Sequence, residues 1–111
     1  MLMRSLDIYS NGRRAGKLTE IAPGASYSFV YDKSYLQRSD AEAISATLPL
    51  SNKPYLASRL FPFFANMLPE GTNRKIICRE NKVDENDLFG LLCCFSGKDI
   101  IGAVTVKTSE K

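Results

Sequence analysis

The chain is 111 residues long, 44% hydrophobic and 24% charged, with a net charge of +3. That describes one ordinary globular domain, with a basic excess too thinly spread for a nucleic-acid footprint. It has no histidine and three cysteines, and no two cysteines have CxxC spacing, which removes the usual zinc sets and the Ser–His and Cys–His nucleophile pairs.

Cys78, Cys93 and Cys94 are therefore expected to be small apolar core residues. The opening stretch MLMRSLDIYSNG has no apolar run of signal-peptide length. No window approaches the roughly 18 apolar residues of a membrane span. The expected compartment is the cytoplasm.

In SLDIYSNGRRAGKLTEI, Leu6 and Ile8 alternate with polar residues, and Asn11-Gly12 is a two-residue hairpin signal. Simple pairing across that turn sets Leu6 against Lys17 and leaves Leu18 off the apolar face. One surplus residue brings Leu18 opposite Leu6, so a β-bulge is expected near Ala15-Gly16. Pro23-Gly24 marks a turn. SYSFVYD then reads as a strand with Tyr27, Phe29 and Tyr31 on one face. In AEAISATLPL, the alternation of Ile44, Ala46 and Leu48 predicts a short strand ended by Pro49.

From Leu56 the pattern turns helical: Leu56, Leu60, Phe63, Phe64 and Met67 fall within about 100° of a helical wheel. Phe61 lies off that stripe, and Tyr55 lies off it on the other side. Pro62 must kink the helix or start a second piece, and Pro69 and Gly71 end it. TNRKIICRENK predicts a second helix with Thr72 as N-cap and Ile76, Ile77 and the Arg79 methylenes inward. DENDLFGLLCCF predicts a third, capped by Asp84, with Leu88, Leu91, Leu92 and Phe95 inward and Ser96-Gly97 at its end. IIGAVTV closes the domain as a strand, and 107–111 is expected to fray. The fold class is α+β: a small, mainly antiparallel sheet of about five strands, with about three helices inserted before the last strand. That strand returns to the sheet begun by the N-terminal hairpin.

No catalytic constellation assembles from these residues. Ser96-Gly97-Lys98 has the wrong spacing for a phosphate loop and leaves a helix instead of opening one. Glu70 and Arg74 read as a local i,i+4 ion pair. Asp84, Glu85 and Asp87 sit where a helix dipole favours acids, with a paired-carboxylate site as the sharper alternative.

SNGRRAGKL, ISATLPL, LFPFFANMLPEGTNRKII and DLFGLLCCFSGKDIIGAVTV resemble, in that order and over about residues 5–106, the successive motifs of the N-terminal subdomain of HipA-type toxin kinases. FFANMLPEG and GKDIIGAV are the most specific. HipA kinases are bacterial serine/threonine kinases of toxin–antitoxin systems whose ATP and magnesium sites lie in a larger body beyond this subdomain. Phosphoryl transfer needs phosphate-cradling groups, metal-holding acids and a base. None of those motifs stands here, so the resemblance assigns no catalytic residue, cofactor or metal.

The resemblance extends to the HipS-type antitoxins of three-gene HipBST systems, in which this subdomain is a separate protein. It implies a non-catalytic inhibitor of a HipT-like kinase toxin, in a larger complex with a HipB-like helix-turn-helix protein and without strong DNA binding of its own. Met1 and the charged end fit a complete small protein comprising one domain, 1–111. The implied kinase-binding residues are Phe61, as a protruding aromatic in or near the nucleotide cleft, with Arg59, Pro62, Tyr55 and Glu70. The bland alternative for Phe61 is a peripheral core position. The alternatives for the whole chain are a non-catalytic piece of a HipA-type kinase and a HipB-associated corepressor accessory.

Overall fold

A computed structural model describes residues 4–95, 99–101 and 104–108. Asn11 and Gly12 take φ values of 53° and 82°, the mirror-image turn whose twist matches its flanking strands. Strand β1 (Arg4–Ser10) therefore folds straight back into β2 (Arg13–Ala22). The register shifts where the sequence demands it. Tyr9 pairs with Arg14 and Ile8 with Gly16, so Ala15 is surplus, and Leu6 faces Leu18. The Ala15 carbonyl accepts from Asp32 N at 2.8 Å, so the bulge leaves no orphaned acceptor. Gly16 is required by close approach: a Cβ there would lie 2.3 Å from the Val30 carbonyl oxygen.

Strand β3 (Ser26–Tyr31) follows the Pro23-Gly24 turn and buries Tyr27, Phe29 and Tyr31, as the alternation predicts. A one-turn helix α1 (Lys33–Leu36), not foreseen from sequence, follows it. Next come β4 (Tyr55–Ala57), α2 (Pro62–Ala65), α3 (Gly71–Asn81), α4 (Leu88–Cys93), β5 (Asp99–Ile101) and β6 (Val104–Thr108). The strands form one sheet in the order β4-β3-β2-β1-β6-β5, with every neighbouring pair antiparallel. The α+β class and the return of the last strand beside β1 both hold, with six described strands and four described helices. Within the segment expected to fray, Lys107 and Thr108 pair with Asp7 and Leu6. Residues 109–111, like the predicted helix end at Ser96-Gly97, lie outside the described residues.

The sheet is covered on one side. Phe29 is fully buried, with its ring centroid 5.9 Å from Phe64 of α2 and 4.9 Å from Tyr31. Tyr27 stacks on Phe89 of α4 at 6.4 Å. On the other side, the alternate residues Ser5, Asp7, Lys17, Thr19, Ser28 and Val30 are half-buried or exposed.

Several elements depart from expectation for identifiable reasons. Residues 44–48 are not a strand: Ser45 and Leu48 make an isolated bridge around a turn. Ile44 N donates to the Tyr31 hydroxyl at 3.1 Å, and that hydroxyl donates to the Leu48 carbonyl. A buried phenol thus meets the backbone groups that a neighbouring strand would otherwise have paired. The helix expected from Leu56 is replaced by β4 and a single turn. Pro62 has no N–H to donate and occupies the first turn of α2, where none is needed.

In α3 the inward strip is Arg74, Ile77 and Cys78, while Ile76 and Arg79 are exposed. Glu70, not Thr72, stands at its N-cap, and no side chain caps it. In α4 the cap is Asp87, whose carboxylate accepts from Gly90 N at 3.0 Å. Asp84 closes its own turn instead, accepting from Asn86 N at 2.8 Å. The later start brings Phe89 into the core with Leu91 and Leu92, leaving Leu88 and Phe95 half-buried.

Gly16→Ala is expected to lower the unfolding free energy by about 1–3 kcal/mol, read by urea denaturation, because the clash is with backbone and no side chain can swing aside.

Candidate interaction surface

The sheet and α4 are joined by one polar cluster. The bulge at Ala15 turns Glu20 inward, where it is 2% exposed. A carboxylate at that depth needs partners, and it has them. Arg4 Nε donates to Glu20 Oε1 at 2.7 Å, while Gly24 N and the Tyr27 hydroxyl donate to Oε2 at 3.1 and 3.5 Å. The rest of the Arg4 fork reaches Asp87, with Nη1 to Oδ2 at 3.0 Å and Nη2 to Oδ1 at 2.7 Å. The Arg4 guanidinium also lies 5.2 Å from the Phe89 ring centre. One arginine therefore ties strand β2 to the cap of α4.

These groups border an open recess of about 400 Å³, lined also by Pro23, Asp84 and Leu88. Its electrostatics are those of a clamp. Hydrogen bonds from Arg4 hold the Asp87 carboxyl below its ordinary range. Burial, then the charge of Glu20, pushes the Tyr27 phenol above its own. A general base works best with a pKa near the operating pH, and both shifts run away from neutrality. Burial raises the Cys93 thiol to about 11, so it stays protonated and weakly nucleophilic at pH 7. Among the described residues no group of three or more His, Cys, Asp or Glu is arranged to hold a metal ion. The Ser96-Gly97-Lys98 stretch lies outside the described residues.

The residues singled out for partner binding lie along one segment running from β4 into α3. Arg59 and Pro62 are exposed on it, and Glu70 is exposed at the N-cap position of α3. The expected pairing of Glu70 with Arg74 is replaced by Arg74 Nε donating to the Pro69 carbonyl at 2.8 Å. Tyr55 is half-buried, with its hydroxyl donated to the Pro49 carbonyl at 2.7 Å. Phe61 does not protrude. It is 7% exposed and packs edge-on against Phe64 at 6.4 Å. The wheel that set it off the core assumed a helix through residue 61. Its extended backbone as N-cap of α2, with ψ 137°, points the ring inward instead. Sequence reasoning also missed the Arg4–Glu20–Asp87 cluster. Its one local signal is Glu20 falling on the apolar face once the bulge has set the register.

A one-sided antiparallel sheet carrying short helices defines a small α+β domain. The HipA N-terminal domain family matches residues 6–107, and the chain belongs to that family. An uncharacterised protein of Haemophilus influenzae is 28% identical over 99% of this chain and 97% of its own length. Two putative kinases of Sinorhizobium fredii, Y4mE and Y4dM, are 30% and 31% identical. They match 100% and 95% of this chain, which spans 26% and 27% of their lengths. The solved N-terminal domain of HipA toxin superposes with a TM-score of 0.71 at 25% identity, covering 100% of this chain and 97% of that one.

Arg4→Ala is expected to cost about 3 kcal/mol, the lower end for a broken buried pair because Arg4 itself is partly exposed. Chemical denaturation measures it. The contribution of Asp87 has a defined pH window. Its folded pKa is depressed, so its stabilisation is complete above the unfolded carboxyl's pKa and disappears as pH falls through the folded value. The stability gap between wild type and Asp87→Asn should therefore be constant from pH 7 to about 5 and shrink below about pH 4. Phe61→Ala is expected to destabilise the domain by about 3 kcal/mol, a loss of melting temperature that a purely interfacial aromatic would not show.

Proposed function

We propose that this chain is a non-catalytic antitoxin of the HipS type, which binds a HipT-like serine/threonine kinase toxin and holds it inactive. The observation that carries this reading is the double match of the whole chain. It aligns with about a quarter of two putative kinases, and also with a Haemophilus influenzae protein of nearly its own length. A module built to pack against a kinase body in one chain retains a complementary surface when supplied separately. The Asp87 carboxyl is held low while the Tyr27 phenol and the Cys93 thiol are raised, all away from neutrality, which supports docking over chemistry.

In this reading Arg59, Pro62 and Glu70 supply the exposed contacts, and Tyr55 and Phe61 hold the segment in shape from beneath. Inhibition then comes from occupying the kinase beside its nucleotide cleft and opposing lobe closure. A HipB-like DNA-binding protein joins through the kinase, and the chain acts in the cytoplasm. The kinase coverage of about a quarter favours one second reading, a non-catalytic subdomain whose partner needs it for folding or activity.

Coexpression with a HipA-type kinase that lacks this subdomain separates the two. The antitoxin reading expects restored growth, co-purification and suppressed autophosphorylation. Raised kinase activity on mixing would select the second reading. Phosphotransfer by the purified chain alone, or no association at all, would overturn both. Glu70→Lys is expected to weaken the complex by about tenfold with an unchanged melting temperature.

A further inference from the structure

Leu56 is 70% exposed, the highest value among the exposed large apolar residues, and its place in the sheet accounts for this. Strand β4 is an outer strand, bonded to β3 alone. Tyr55 and Ala57 point toward the helices, so Leu56 points away, opposite Ser28. Val30, also exposed, is its diagonal neighbour on the same face, within reach of one contacting side chain. The backbone on the far side of β4 meets no other strand among the described residues. An exposed edge with an apolar residue on it is a surface for strand addition.

The charges around it select the occupant. The aspartates near the hairpin and α1 are matched: Arg13 and Arg38 pair with Asp40, and Arg14 pairs with Asp7 and Asp32. Lys53 and Arg59 flank β4, both exposed, and neither makes an ion pair among the described residues. A second copy of this chain fits poorly. Antiparallel self-pairing centred on Leu56 sets Lys53 against Arg59 on both sides, and like charges placed opposite one another destabilise a strand pair.

We infer that the outer edge of β4 takes an extended segment of the partner kinase as a seventh strand, with an apolar side chain over Leu56 and Val30 and acidic residues facing Lys53 and Arg59. This rests on the kinase-binding reading above and places one contact on the outward side of the sheet, away from the Phe61 core. Ser28 and Thr19, opposite each other beside Leu56, are small enough to let that side chain lie flat.

The test uses the full chain and its coexpressed kinase. Leu56→Asp should raise the dissociation constant at least tenfold while the melting temperature stays within two degrees or so of wild type, because Leu56 contributes little to the core. Lys53→Glu, at an exposed position, should weaken binding by about fivefold and serves if Leu56→Asp folds poorly. Ile76→Asp, on the exposed side of α3, should leave binding unchanged. Wild-type binding with unimpaired Leu56→Asp and Lys53→Glu would overturn the inference and leave the antitoxin reading standing. Failure of wild type to bind would overturn both. A wild-type dimer that Leu56→Asp splits would show a second copy on the edge, and would also overturn the inference.

Discussion

At Ala15, β2 carries one residue more than the strand it faces, and that surplus decides which side of the sheet each later β2 side chain occupies. A strand's side chains alternate with a period of two, so a one-residue slip would exchange the faces. Without the bulge, Lys17, Thr19 and Ile21 would point at the helices, and Leu18 and Glu20 would point at water. With it, Glu20 reaches the interior and Arg4 must follow to neutralise it. The remaining donors of Arg4 then fix Asp87, and Asp87 fixes the first turn of α4. A register choice in the first hairpin is thereby transmitted to a helix more than sixty residues later. Here the network holds the residue that caps α4, and so sets where that helix begins.

The same network lines the recess beside it. Carboxylates and a phenol stand together there, as they do in many active sites. Arg4 is shared between Glu20 and Asp87, and its hydrogen bonds hold the Asp87 carboxyl below its ordinary range. Two surfaces stand open to solvent: the stretch from β4 to α3 and the uncovered side of the sheet. These two surfaces meet at residues 55–59, where the chain passes from the sheet edge into the helical layer.

The parts legible in the sequence are those governed by local rules. The Asn11-Gly12 turn, the bulge, the aromatic face of β3 and the returning last strand follow from period-two alternation and from positions only glycine tolerates. The false stripe through Leu56, Leu60, Phe63, Phe64 and Met67 shows the limit of periodicity. Leu60, Phe64 and Met67 are indeed buried, but they reach the core from a strand exit, a single helical turn and a following bend. A wheel assigns phase without asking whether a helix can run between two prolines, and Phe61 was misplaced for that reason. Asp84 and Asp87 are equally good caps by residue type, and only the distant Arg4 distinguishes them. Contacts spanning 83 residues leave no mark on local pattern.

The long connection between α1 and β4 is held by phenols. The Tyr31 hydroxyl grips the amide of Ile44 and the carbonyl of Leu48, Tyr35 grips both backbone groups of Glu42, and Tyr55 takes the carbonyl of Pro49. Every one of these bonds is made to main chain. Such a fastening recognises the path of the connection and is indifferent to the identity of most residues along it. Apart from Ile44 and Leu48, which are buried, and Asp40, which pairs with two arginines, the stretch from 37 to 50 is thus free to change its exposed side chains while keeping its shape.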